Sequence, residues 1–198
     1  MPSFPQRLIV GITGASGVLY GVRLLQALRE GHTRQSVETH LILSEAARLT
    51  LALETDLRPH DVEELADVVH APRNLAAAVA SGSFPALGMV IVPCSIKTLS
   101  AIAHSYADNL IARAADVQLK EGRPLVLVVR ETPLHLGHLR LMTRAAEIGA
   151  VIFPPVPAWY TRPQSLDEMV AATVGRILAR IGLENDLYTS WDGRATPR

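Results

Sequence analysis

Five short runs in this chain are apolar on successive residues: Leu8-Ile-Val-Gly-Ile12, His40-Leu-Ile-Leu43, Met89-Val-Ile-Val92, Leu125-Val-Leu-Val-Val129 and Val151-Ile-Phe153. Successive side chains of a strand point to opposite faces, so a strand with one wet face alternates polar and apolar residues. A run that never alternates is covered on both sides, which is the pattern of a parallel sheet between helices. Helical segments fill most of the gaps. Val18 to Glu30 carries Leu24, Leu25 and Leu28 on one side, and Glu45 to Glu54 follows Ser44 as its N-cap. Val62 to Val69 follows Asp61, which with Glu64 resembles a capping box. Leu99 to His104, Leu110 to Glu121, His138 to Ile148 and Leu166 to Ile181 complete the set, the last opened by Ser165 and Glu168. Strand–helix alternation with right-handed crossovers predicts a doubly wound α/β sandwich of three layers.

The chain has 198 residues and no linker, repeat or charge block, so residues 1–198 read as one domain. Residues 1–6 are expected to be flexible, and 184–198 form a polar tail that carries Tyr188 and Trp191. An aromatic pair in such a tail is either docked on its own domain or buried against another subunit. Lys+Arg and Asp+Glu are 19 each, a balance that argues against a general nucleic-acid binder. Cys94 is the single cysteine, which excludes an intramolecular disulfide. There is no signal-peptide h-region and no apolar run long enough to span a membrane, so the expectation is a soluble cytoplasmic protein.

Ligands of open α/β sheets bind outside the carboxyl ends of the strands. Those ends are followed here by Thr13-Gly-Ala-Ser-Gly17, Ser44, Pro93-Cys-Ser-Ile-Lys-Thr98, Arg130-Glu131 and Pro154-Pro155 with Trp159-Tyr160. The expectation is that all of them face one crevice. Gly11, Gly14 and Gly17 form a strand-to-helix loop whose free amides suit an anion, although a tight turn needs glycine anyway. Ser95 and Thr98 either cap a helix or grip a phosphate. Arg130-Glu131 is either an internal ion pair or a functional pair, with Arg130 suited to phosphate and a partly buried Glu131 suited to proton transfer. Lys120 and Arg113, seven apart, share a helix face, and Arg176 sits among apolar neighbours in the last helix. Cys94 reads as a buried structural thiol before it reads as a nucleophile. The seven histidines form no HExxH-type metal pattern.

Taken in order, Gly11-Ile-Thr-Gly-Ala-Ser-Gly17, Glu54-Thr-Asp56, Pro93-Cys-Ser-Ile-Lys-Thr98, Arg113-Ala-Ala-Asp116, Leu119-Lys-Glu121, Arg130-Glu-Thr-Pro133, Pro154-Pro-Val-Pro-Ala-Trp-Tyr160 and Arg162-Pro-Gln-Ser165 resemble the UbiX family of flavin prenyltransferases. The resemblance spans nearly the whole chain. It implies a Rossmann-like flavoprotein in which reduced FMN is alkylated at N5 and C6 by dimethylallyl monophosphate. The product, prenylated FMN, would serve a partner decarboxylase of the UbiD type, including that of ubiquinone synthesis. By position it implies that Gly14, Ala15, Ser16, Ser44, Ser95, Ile96, Lys97, Thr98 and Arg130 bind FMN. Tyr160 and Arg176, with Lys120, Arg113 and Trp159, would serve the prenyl donor. Glu131 would be the catalytic glutamate, with Ser16 and Glu54 as accessory catalytic residues. The family forms homo-oligomers, often dodecamers. Trp159 stands where the family commonly has phenylalanine. No metal is expected, since the DDxxD motif of diphosphate prenyltransferases is absent.

Four rival readings remain at this stage. A cysteine-peptide oxidative decarboxylase, a flavoprotein of the same superfamily, relies on an active-site histidine and an asparagine-bearing loop that are not found here. A hydroxyarylic acid decarboxylase subunit and a non-catalytic FMN carrier share the same flavin loops. A short-chain dehydrogenase shares only the glycine loop, and no tyrosine here has lysine four residues on.

Overall fold

The computed structural model of the chain describes residues 6–191 and Gly193. The expectations for a flexible start and for the end of the tail therefore fall, over 1–5, 192 and 194–198, outside the described residues. Six parallel strands form one sheet: β1 (Gln6–Ile12), β2 (Val37–Leu43), β3 (Val68–His70), β4 (Gly88–Cys94), β5 (Leu125–Val129) and β6 (Val151–Ile152). Their order is β3-β2-β1-β4-β5-β6, the doubly wound arrangement with its switch point between β1 and β4.

The continuous apolar runs divide by pleat. Leu8, Val10 and Ile12 of β1, Val90 and Val92 of β4, and Val126 and Val128 of β5 pack under α1 (Val18–Arg29), α2 (Glu45–Glu54) and α7 (Leu166–Arg180). Ile9, Met89, Ile91, Leu125, Leu127 and Val129 pack under α4 (Ile96–Ala103), α5 (Leu110–Lys120) and α6 (Leu136–Glu147). Each fully buried Leu, Ile or Val contributes about 1.5–3 kcal/mol relative to exposure. The strand ends are thus set in a stiff frame.

Two expectations are corrected. The segment read as a helix from Val62 to Val69 is a short helix α3 (Pro59–Glu63) followed by edge strand β3. Arg58, not Asp61, is the N-cap of α3; Asp61 is three residues in and its carboxylate accepts from Arg58 N at 2.7 Å. Helices α4 and α6 also begin earlier than expected, which makes Ser95 and His135 their N-caps.

Candidate active site

The sheet register decides what reaches the carboxyl edge. Ile12 pairs with Leu43, and Cys94 pairs with Val129 after a bulge. The next residues, Thr13, Ser44, Ser95 and Arg130, therefore leave the sheet side by side. Thr13 ties the two central strands together. Its hydroxyl donates to Pro93 O at 2.8 Å and accepts from Ser95 N at 2.8 Å, in a side chain only 2% exposed.

From that edge two helices start on one cavity. Ser44 caps α2 by accepting from Ala47 N at 3.0 Å, and Ser95 caps α4 by accepting from Thr98 N at 3.4 Å. The amides of Glu45, Ala46, Ile96 and Lys97 lie in first turns, where no intrahelical acceptor exists. Thr13, Gly14, Ser44, Ser95, Lys97 and Thr98 line the cavity, which encloses about 500 Å³. Glycine suits position 14, because a Cβ there would lie 2.4 Å from Ala46 Cβ and force α2 to shift. Paired helix N-termini with hydroxyls and a lysine make a donor set of the kind that suits an anion.

The last amides of the glycine loop, at the start of α1, are taken by the chain's own carboxylate and are not open to an anion. Glu54, at the far end of α2, accepts from Gly17 N at 2.9 Å and Val18 N at 3.1 Å. The α1 N-terminus is thus neutralised by the chain's own carboxylate. Contact between Glu54 and Gly17 also means that α2 crosses the carboxyl edge instead of running back down the sheet. Burial pushes the Glu54 carboxyl up, but a hydrogen bond from the Ser16 side chain, the two amides and the charge of Arg130 outweigh it. Its pKa lies below the usual carboxylate value. Ser16, Glu54 and Arg130 therefore share one corner beside the glycine loop.

Tyr160 and Arg176 do meet, on a second cavity they share with Tyr188 and Trp191. In the single chain the expected crevice is divided between two cavities, one lined by Ser44, Ser95 and Thr98 and an open one lined by Tyr160 and Arg176. Tyr160 OH donates to Thr189 O at 3.3 Å, and its ring meets Trp191 edge-on at 5.4 Å. Trp159, next door, is exposed and lines neither cavity.

Other expectations change. Glu131 is exposed, not partly buried, and its carboxylate accepts from Thr132 N at 2.9 Å. Lys120 ends α5 just before β5 begins, so it lies at the amino edge of the sheet, paired with Glu121. Arg113 bonds Asp116 at 2.9 Å and Ala80 O at 3.2 Å, on the flank of α5. In one chain neither residue reaches either cavity. Ile96 is half-buried against the α4–α6 core, and its amide lies in the first turn of α4. Cys94 is fully buried, and burial pushes its thiol far up, which removes it as a nucleophile. Among the described residues no group of three or more His, Cys, Asp or Glu is placed to hold a metal ion. Sequence reading missed Thr13, which looks like part of a turn until its partners are known. It also missed Arg73, on the cavity wall three residues past the end of unrecognised β3.

Residues 3–176 match the Flavoprotein family. Over 190 residues the chain is 65% identical to the flavin prenyltransferase UbiX of Escherichia coli K12, covering 95% of this chain and 99% of that one. The crystal structure of AnUbiX (PadA1) in complex with FMN and dimethylallyl pyrophosphate superposes with a TM-score of 0.92 at 48% identity, covering 96% and 100% of the two chains. A dodecameric FMN-dependent UbiX-like decarboxylase from Escherichia coli O157:H7 superposes with a TM-score of 0.90 at 49% identity, covering 95% and 100%.

Proposed function

This chain belongs to the UbiX family of flavin prenyltransferases, and from that premise we propose that it joins the dimethylallyl group of dimethylallyl monophosphate to N5 and C6 of reduced FMN. The observation that carries the reading is the pair of helix N-termini, α2 and α4, opening on one cavity at the switch point of the sheet. First-turn amides, the hydroxyls of Ser44, Ser95 and Thr98, and the cations Lys97 and Arg73 make a donor set that fits the phosphate of FMN. Gly14 lets the backbone come close to the flavin, and Ala15 extends that surface. When bound, reduced FMN supplies the nucleophilic nitrogen and carbon that the prenyl group joins.

The chain's side chains do the rest. Arg176 and Arg130 stabilise the phosphate that leaves the allylic carbon, as preorganised cations do for developing charge. The Tyr160 ring, on the wall of the second cavity, shields the cation-like prenyl fragment from water. Ser16, held by Glu54, orients a hydroxyl toward flavin N5. Glu131 moves the proton that leaves C6 as the new ring closes. Glu131 is exposed in the single chain, and Lys120 and Arg113 can serve a donor only across a boundary with a neighbouring copy. We therefore read the working form as a homo-oligomer, a dodecamer in the finer reading, with residues 1–198 as one domain and the tail at a subunit contact. Release of prenylated FMN to a UbiD-type decarboxylase completes the proposal. No helix among the described residues is long and apolar enough to cross a membrane, and a cytoplasmic location fits that.

A decarboxylase reading draws support from the description of the Escherichia coli O157:H7 structure. The test is to incubate the purified chain, without partner, with a hydroxyarylic acid in one arm and with reduced FMN plus dimethylallyl monophosphate in the other. The proposal expects no carbon dioxide in the first arm and consumption of the donor in the second. Carbon dioxide release by the chain alone, with the donor untouched, overturns it.

A further inference from the structure

The donor cavity has a wall that none of the assigned residues explains. Gly175 lies inside α7, where glycine costs about 1 kcal/mol relative to alanine. The reason is the chain that lies on it. A Cβ at Gly175 would stand 2.7 Å from Asn185 Oδ1, 2.9 Å from Leu187 Cβ and 2.9 Å from Tyr188 Cδ1. Asn185 fastens that chain down. Its amide donates to Gly175 O at 2.9 Å and Leu183 O at 3.1 Å, while its Oδ1 accepts from Leu187 N at 3.2 Å. The result is that Tyr188 comes up beside the very next residue of the helix. The Arg176 guanidinium carbon lies 5.9 Å from the centre of the Tyr188 ring, within the range of a cation–π contact.

Tyr188 also borders both cavities that Arg176 borders, the open one with Trp191 and a smaller one of about 220 Å³ with Phe153 and Val156. The ring thus stands between the two spaces a long, flexible arginine could enter. An exposed arginine loses much rotamer freedom when it must hold one pose. A ring face removes part of that cost in advance, without competing for the N–H groups that a phosphate needs.

We propose that Tyr188 is a positioning residue: its ring face holds the Arg176 guanidinium toward the donor phosphate, and its hydroxyl has no part in this. The inference rests on the reading of Arg176 as a donor-phosphate residue. Three observations carry it together: the glycine that admits the chain, the asparagine that clamps it, and the ring against the guanidinium.

The experiment is a double-mutant cycle on the full chain, with dimethylallyl monophosphate as the varied substrate at saturating reduced FMN. Tyr188→Phe keeps the ring and should leave KM for the donor within about twofold of the parent. Tyr188→Leu keeps apolar bulk without a π face and should raise that KM by about 3- to 30-fold, the worth of a cation–π contact, with kcat little changed. In the Arg176→Ala background Tyr188→Leu should cost nothing further. FMN affinity and melting temperature report folding, and Tyr188→Met replaces Tyr188→Leu should the latter fail to fold. If Arg176→Ala raises KM but Tyr188→Leu costs the same in both backgrounds, the positioning role falls and the donor-site reading stands. If Arg176→Ala leaves KM unchanged, the donor-site reading falls and takes the positioning role with it. A Tyr188→Phe enzyme as impaired as Tyr188→Leu would move the role to the hydroxyl and refute the proposal.

Discussion

Gly14→Ala tests whether the approach of the glycine loop to α2 sets flavin affinity. Gly14 is not among the residues with positive φ, so an alanine there meets no backbone penalty and the effect is purely steric. The added Cβ would lie 2.4 Å from Ala46 Cβ, 3.0 Å from its carbonyl carbon and 3.2 Å from its Cα. Carbon atoms settle at about 3.5–4.0 Å, so the first turn of α2 must retreat by roughly 1 Å. Overpacking of this kind costs about 1–3 kcal/mol. That turn carries the Glu45 and Ala46 amides proposed to face the flavin phosphate, so the strain is relieved at the expense of binding. At about 1.4 kcal/mol per tenfold, FMN affinity should fall roughly 5- to 100-fold, measured by fluorescence titration of the apoprotein. Gly14→Ala with Ala46→Gly removes the 2.4 Å contact and should recover most of the loss, leaving only the tighter backbone contacts. Unchanged FMN affinity in Gly14→Ala refutes the steric argument. A loss that Ala46→Gly does not relieve refutes the route through α2 and puts the clash on the ligand itself.

Three further outcomes follow from the same geometry. Ser44→Ala should weaken FMN about tenfold but leave riboflavin, which lacks the phosphate, unaffected, since the lost group is a charge-assisted donor; equal loss for both ligands contradicts a phosphate site at α2. Thr13→Val keeps shape but leaves Ser95 N without its buried acceptor, at about 1–3 kcal/mol, and a chain of this size should melt about 2–4 °C lower for each kcal/mol; an unshifted melting curve contradicts the tie between β1 and β4. Because the folded pKa of Glu54 lies below its ordinary 4.5, its stabilisation is fully present above about pH 4.5 and is lost as pH falls through the folded value. Glu54→Gln should therefore lower stability at neutral pH and flatten the acid limb of a urea-denaturation series, whereas parallel curves for the two proteins argue against the charge.

The strands that matter most for the site were legible because β1, β4 and β5 are covered on both faces and must be apolar throughout. Strand β3 was not, since it has three residues, lies at the sheet edge and follows an apolar stretch that also fits a helix. The hydroxyl caps Ser44 and Ser95 were readable from residue type and position at a strand end. The Glu54 contact with Gly17 was not, because it depends on α2 crossing the edge of the sheet, a direction no local pattern encodes. Lys120 closes a helix just before a parallel strand, which puts it at the amino edge of its own sheet, where it can meet a ligand only across a subunit boundary. Glu131 shows the converse limit. Its position after β5 was plain, yet burial depends on where the chain turns next and on what covers it.

The central claim is that this chain makes a carbon–nitrogen and a carbon–carbon bond between flavin and a prenyl group. The most direct measurement is anaerobic incubation of the protein with reduced FMN and dimethylallyl monophosphate, followed by mass spectrometry and NMR of the extracted flavin. The account predicts a flavin carrying one prenyl unit closed into a ring through N5 and C6, with Glu131→Gln blocked or strongly slowed before cyclisation. Unmodified FMN recovered from the wild-type chain, or full-rate cyclised product from Glu131→Gln, would contradict it.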